Sequence, residues 1–234
     1  VGDRRLSAFG AATGTVFAVL EVLAGFIYPQ QPRIDGPPAA TVAWAHDHRV
    51  ALQLGMIFGL AAAGMLLWFA AYVTTRMDRV PGAGPALRPM VLGGGIATAV
   101  VAAVAAIPIA LLAFMVGQAP GIPDPTVVRL LADLNTVFFA VNCTMTGLFL
   151  VALGLAVLRA ELPTPRWIGW LSLPVAAANA VTVWVVLTFT TYHGKGWNVV
   201  AFGAYIGFAV VVAGLSVTLF RHRDVEDALA VAAR

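Results

Sequence analysis

Few residues in this chain are able to do chemistry, and the most informative is an acid inside an apolar run. Glu21 interrupts the segment Leu6–Ile27. Gly14, Glu21 and Gly25 recur at helical spacing, so they fall along one stripe of a helix. Small residues mark faces where helices approach closely in lipid, which turns Glu21 toward a bundle interior. An ionised carboxylate there must be paired, for instance with Arg49 or Arg129, or else take up a proton. Carboxylates within membrane helices are functional candidates by default. Glu21, Asp133 and Asp47 are therefore the candidate acid–base groups. Asp133 follows Arg129 by four residues, a spacing that also allows a structural ion pair along one helix.

A second group of polar residues would hold a substrate. His46, Arg49 and Gln53 share one face if their segment is helical, and Asn135 and Asn142, seven apart, share another. Tyr192 and His193 close the fifth apolar run, and Trp197 and Asn198 open the sixth. His46-Asp47-His48 has the side chains of a zinc, iron or copper site, but the spacing is wrong for a helix. Residues two apart on a helix point about 200° from one another. No metal and no cofactor are expected. The chain contains no phosphate-binding loop, dinucleotide glycine pattern, nucleophile elbow or HExxH. Its single cysteine, Cys143, excludes an intrachain disulfide.

These residues are carried by Leu6–Ile27, Val50–Thr74, Met90–Val116, Val127–Leu158, Trp167–Thr191 and Val199–Phe220. Each run exceeds the roughly 20 residues that cross a bilayer core as a helix. The chain is 60% hydrophobic and 11% charged, too few charges for a water-facing surface. Alternating strand patterns are absent, which argues against a barrel. The fold class is all-α: a polytopic membrane protein, one six-helix bundle without a soluble domain. Leu6–Ile27 is longer than a signal-peptide core and lacks a clear cleavage site, so it is expected to be a retained helix.

The basic residues set the expected sidedness. Arg4, Arg5, Arg76, Arg79, Arg88, Arg159, Arg166, Arg221, Arg223 and Arg234 lie on one set of connections, and only Arg33, Arg49, Arg129 and Lys195 on the other. Cytoplasmic loops carry the Lys/Arg excess, which places both termini in the cytoplasm of a bacterial cell membrane. The same rule accounts for the net charge of +3 without a nucleic-acid partner. Every candidate residue above then falls in the external half of the bundle, except Asn142, which extends the polarity toward the midplane.

Local signals add detail. Pro29, Pro32, Asp35-Gly36, Pro37 and Pro38 make an external loop, and a short interfacial helix is expected over 39–49. Asp124 or Thr126 would cap the fourth helix beside Pro125. Pro108 should kink the third. Trp44, Trp167, Trp170 and Trp197 suit interfacial anchoring, and Trp68 and Trp184 suit internal packing. Gly10/Gly14, Gly55/Gly59 and Gly203/Gly207 suit close helix packing within the bundle, or contact with a second copy or a partner membrane protein.

Short motifs also carry a resemblance. Asp47-His48-Arg49, Leu131-Ala132-Asp133-Leu134, Leu162 through Trp170 and Gly194-Lys195-Gly196-Trp197-Asn198 together resemble a group of six-helix actinobacterial membrane proteins close to the DUF4386-type proteins. The resemblance implies the same topology and no particular activity. From the residues themselves, the expected function is acid–base chemistry on a lipophilic substrate that enters from membrane lipid: isomerisation, cyclisation or epoxide opening. The alternative is a non-catalytic accessory subunit, lipid or small-molecule binder, or transport component.

Overall fold

In the computed structural model the chain is helical, and no strand occurs among the described residues. The structure describes residues 2–32, 36–78, 80, 86–117, 124–159, 162, 164–188 and 197–232, with side chains for 8–32, 36–78, 80, 86–117, 124–159, 162, 164–186 and 199–222. The helices are α1 (Gly2–Ile27), α2 (Pro38–Asp47), α3 (Arg49–Met77), α4 (Leu87–Met115), α5 (Pro125–Leu158), α6 (Arg166–Thr188) and α7 (Trp197–Ala232). All except α2 are long and apolar enough to cross a membrane. The chain is thus a multi-pass membrane protein, and helices serve because each satisfies its own backbone hydrogen bonds in lipid.

The spanning helices pack in chain order around a ring. α1 lies against α3, α3 against α4, α4 against α5, α5 against α6 and α6 against α7, and α7 returns to α1. The short helix α2 sits at one end, on α5, α3 and α4. Pro37 and Pro38 start α2. The helical path breaks at His48 (φ −109°, ψ 15°) before α3 begins, so the expected 39–49 segment ends two residues early. At the start of α5, Asp124 caps the helix by accepting from the Thr126 amide at 2.8 Å, with Pro125 in the first turn. The helix α7 runs ten residues past its apolar span, from His222 to Ala232, taking the charged tail into the same helix.

Two apolar clusters divide the interior. The larger fills the end away from α2 and includes Phe69, Phe149, Leu153, Val212 and Leu219. The smaller lies beneath α2 and includes Trp44, Leu52, Leu112 and Val128. Trp44 is therefore a buried residue and not the interfacial anchor expected from its sequence position. Trp68 and Trp184 depart in the other direction, being about half exposed on the outer surface, with Trp68 edge-on to Phe9.

The seam between α1 and α7 closes the ring. Ser216 of α7 donates to the Ala11 carbonyl at 2.5 Å and accepts from the Thr15 amide at 2.9 Å, inserting its hydroxyl into the ladder of α1. Gly14 makes this approach possible. A Cβ there would stand 2.7 Å from the Phe69 ring and 2.8 Å from Ser216 Cβ. Gly10 and Gly207 are filled in the same way by Tyr72 and Val175, so these small residues serve packing within one chain. Gly203 meets no protein atom within 4 Å.

Gly14→Ala is expected to destabilise the protein by about 1–3 kcal/mol, because Phe69 is fully buried and cannot yield. Gly64→Ala, whose Cβ meets open space, is the matched control and is expected to be neutral or mildly stabilising. Thermal unfolding in detergent checks the pair; equal effects would mean the α1–α3–α7 seam is not tightly packed.

Candidate functional site

Between the two apolar clusters the ring is not filled. A cavity of about 490 Å³ lies in the α2 half of the bundle. It is walled by α1, α3, α4, α5, α7 and the segment after α1, and among the described residues none of α6 lines it. Its room comes from small side chains on facing helices: Ala24 and Gly25, Gly55 and Gly59, and Ala102, Ala105 and Ala106. Gly59 lies on the inward stripe of α3 with buried Leu52, Gly55, Ala62 and Leu66, yet a Cβ on it would meet nothing within 4 Å. The volume lies within the range of about 300–1,000 Å³ common for small-molecule cavities.

A hydrogen-bonded cluster closes the α2 side of the cavity. Just past α1, Gln31 Nε2 donates to the Tyr28 hydroxyl at 2.6 Å and to Asn135 Oδ1 at 3.0 Å. Tyr28 donates to the same Asn135 oxygen at 3.3 Å. Asn135 Nδ2 donates across to the Ala105 carbonyl of α4 at 3.1 Å. That carbonyl lies three residues before Pro108, where the proline removes a ladder donor and loosens the helix. Thr136 completes the set by donating to Ala132 O at 3.2 Å and, more weakly, to Gln31 Oε1 at 3.4 Å. Burial pushes the Tyr28 phenol well above its ordinary range, with the Gln31 hydrogen bond pulling it back only in part. It stays protonated, as its role as donor requires.

Glu21 lines the cavity from α1. Among the described residues no cationic side chain lies within ion-pair distance of it, and its carboxyl has no hydrogen-bond partner. The Tyr205 hydroxyl of α7 is engaged by the backbone carbonyl of Glu21 and not by its side chain. Gly25 makes room for this, since a Cβ there would stand 2.6 Å from the Tyr205 ring. Asn142 also lines the cavity, and its Oδ1 is buried without a partner.

Of the residues expected from sequence, the cavity thus brings together Glu21, Asn135 and Asn142. Asp133 does not line it. Arg129 holds Asp133 through Nε at 3.0 and 3.1 Å, while Arg129 NH1 donates to Gly36 O at 2.8 Å, so the pair ties α5 to the loop before α2. His46 and Asp47 are exposed on α2, 3.6 Å apart. His48 Nδ1 lies 2.8 Å from Trp44 O. Among the described residues no group of three potential metal ligands occurs. Arg49 is exposed, with its guanidinium packed on Gly117 at the end of α4, and Gln53 does not reach the cavity. Tyr192 and His193 lie outside the described residues, as do the side chains of Trp197 and Asn198.

Sequence reasoning missed Tyr28, Gln31, Thr136, Phe139 and Tyr205. Gln31 sits in a proline-rich turn where a glutamine reads as solvated, and Tyr205 lies in a run of apolar packing residues. Thr136 and Phe139 carried a usable signal, since with Asn135 and Asn142 they occupy one face of α5 at helical spacing. Compared with family models, with curated proteins and with solved structures, the chain matches none of them.

Asn135→Leu should uncouple α1, α4 and α5 at this end. It takes the acceptor from the Tyr28 hydroxyl, one of two bonds from the Gln31 amide and the Asn135 bond from the Ala105 carbonyl, a loss of about 1–3 kcal/mol for a buried polar group. Thermal unfolding reads the loss, and hydrogen exchange should rise around residues 28–31. An unchanged exchange pattern would mean that Asn135 does not hold this segment.

Proposed function

We propose that the protein is a small membrane enzyme that moves a proton on a lipophilic substrate, with Glu21 as the acid–base group. The supporting observation is the Glu21 carboxyl, unpartnered among the described residues, on the wall of an apolar cavity of about 490 Å³. A carboxyl in such a site can deliver a proton and take one back without a cofactor. Since Asp133 is held by Arg129 and Asp47 is exposed, one carboxyl must serve both steps. That favours isomerisation or cyclisation. In each, the Glu21 O–H breaks as a C–H bond forms on an alkene carbon, and the carboxylate then removes a proton from a neighbouring carbon. Epoxide opening, the third chemistry expected, would return a proton to oxygen and fits a single acid less directly.

Substrate would enter from the surrounding lipid, because more than half of the lining residues are alanine, glycine or aromatic. With both termini in the cytoplasm of a bacterial cell membrane, as the arginine distribution implies, the cavity would lie in the external leaflet. The resemblance to the DUF4386-type membrane proteins fits this topology and adds no activity. One observation favours non-catalytic binding instead: the Tyr28 and Tyr205 hydroxyls are already engaged, so no second side-chain acid assists Glu21.

The protein, incubated with a lipid extract of its host membranes in D2O, should wash deuterium into the molecule it binds, as read by mass spectrometry. Glu21→Gln should retain that molecule and abolish the wash-in, by a factor of about 10²–10⁴ for loss of a general acid–base group. Gly59→Trp, which fills the cavity, should lose the molecule itself. Undiminished wash-in by Glu21→Gln overturns the acid–base role, and retained binding without wash-in by the unaltered protein establishes the binder reading.

A further inference from the structure

We propose that the cavity selects molecules carrying, or developing, positive charge at the end that meets Glu21: lipophilic amines, quaternary ammonium compounds and carbocation-like intermediates. The inference rests on the cavity being the binding site and deepens that reading by naming the ligand's chemistry.

The polar groups around the cavity are unevenly engaged. Both hydrogens of Gln31 Nε2 are taken by Tyr28 and Asn135. Asn135 donates to Ala105, Thr136 to Ala132 and Tyr205 to the Glu21 backbone carbonyl. Only the Asn142 amide and the exposed Gln30 keep donor capacity among the lining side chains. The unpartnered group with the largest demand is an acceptor, the Glu21 carboxyl. No basic side chain lines the cavity among the described residues. Arg129, which the sequence offered as a counter-ion, is committed to Asp133 and Gly36, and Arg49 packs on Gly117. An anion in this setting is costly unless a positive charge accompanies it. The protein supplies none there, so the ligand is the remaining source.

The rest of the lining is suited to the same charge. Tyr28, Phe139 and Tyr205 bring aromatic rings to the cavity, and Met56 a polarisable thioether. Aromatic faces attract cations, most strongly where water is excluded. They do so without donors or acceptors that would demand a particular head group. The preference therefore extends from an ammonium with N–H bonds to a quaternary ammonium without them. It also joins ligand choice to the proposed reaction. Once Glu21 has delivered its proton to an alkene, the carboxylate left behind faces the carbocation it has made.

The test uses the full-length protein in phosphatidylcholine nanodiscs and three probes of equal chain length: decyltrimethylammonium, decanol and decyl sulfate. Calorimetric titration is corrected for empty nanodiscs. The ammonium probe should bind at least tenfold more tightly than decanol, and decyl sulfate more weakly than either. Glu21→Gln should bring the ammonium probe to the affinity of decanol, with thermal unfolding in the nanodiscs reporting that the variant is folded. Glu21→Asp should keep the preference. Gly59→Trp should weaken both probes. If decanol and the ammonium probe bind equally and Gly59→Trp weakens both, the charge preference is wrong and the cavity stands. If the ammonium preference survives Glu21→Gln, its assignment to Glu21 is wrong and the proposal falls. If Gly59→Trp alters no binding, the cavity is not the site and both readings fall.

Discussion

A polar group inside a bilayer has no water to turn to, and this bundle is organised by that constraint. Ser216 bridges Ala11 and Thr15, Asn135 reaches Ala105, and Arg129 joins Asp133 to Gly36. Each of these bonds also fixes one element against another: α7 on α1, α5 on α4, and the loop before α2 on α5. Polar contacts of this kind are worth only about 0.6–2 kcal/mol each within a membrane, so their value lies in orientation more than in strength. Against this accounting Glu21 stands out, because its carboxyl is the ionisable group in the α2 half to which the described residues offer no partner.

The same constraint explains why room exists around that acid. A ring of six helices with large side chains throughout would fill its centre, as it does at the opposite end with Phe69, Phe149 and Leu153. In the α2 half the inward positions of α3 and α4 are Gly55, Gly59, Ala102, Ala105 and Ala106. Glycine and alanine weaken packing where they face empty space, since a missing side chain forfeits its dispersion contacts. The loss is offset by the ends. The cluster under α2, with Trp44, Leu52 and Leu112, caps the opening, and the Tyr28–Gln31–Asn135 bonds hold the cap's approach in place. Cavity and cap therefore belong to one arrangement: the small residues open the space, and the apolar plug and the polar clasp keep the helices from collapsing into it.

How much of this was legible in the sequence follows from what each signal depends on. The six spans were legible because run length and the lack of charge are properties of the chain alone, and the observed ends fall within about three residues of those read from it except in α1 and α7, where helix continues into charged sequence. Glu21 was legible because an acid in an apolar run is costly wherever it points. Asp133 was legible as a partner of Arg129 because both sit on one helix at a fixed spacing. Gln31 and Tyr205 were not legible, since their roles depend on which helices become neighbours and periodicity within one helix carries no such information. His46 and Asp47 looked close to the site in sequence, but the break at His48 leaves α2 as a separate cap with those side chains on its outer face. Trp44 looked like an anchor for the same reason, and the turn of α2 buries it instead.

The α1–α7 seam shows how an acid can be held in place without being neutralised. The Tyr205 hydroxyl reaches the Glu21 turn of α1 from α7, and it donates to the backbone carbonyl. Bonding to the carboxylate would have stabilised the charged form and lowered its demand for a proton or a counter-ion. Bonding to the carbonyl fixes that turn of α1 against α7 and leaves the side chain uncommitted. Gly25 makes the geometry possible by giving up a side chain under the tyrosine ring, and Ser216, three turns further along α7, pins the same two helices from the other end of the seam. The acid is thus rigid in its backbone and uncommitted in its side chain, the combination that the proposed proton exchange from one fixed position requires.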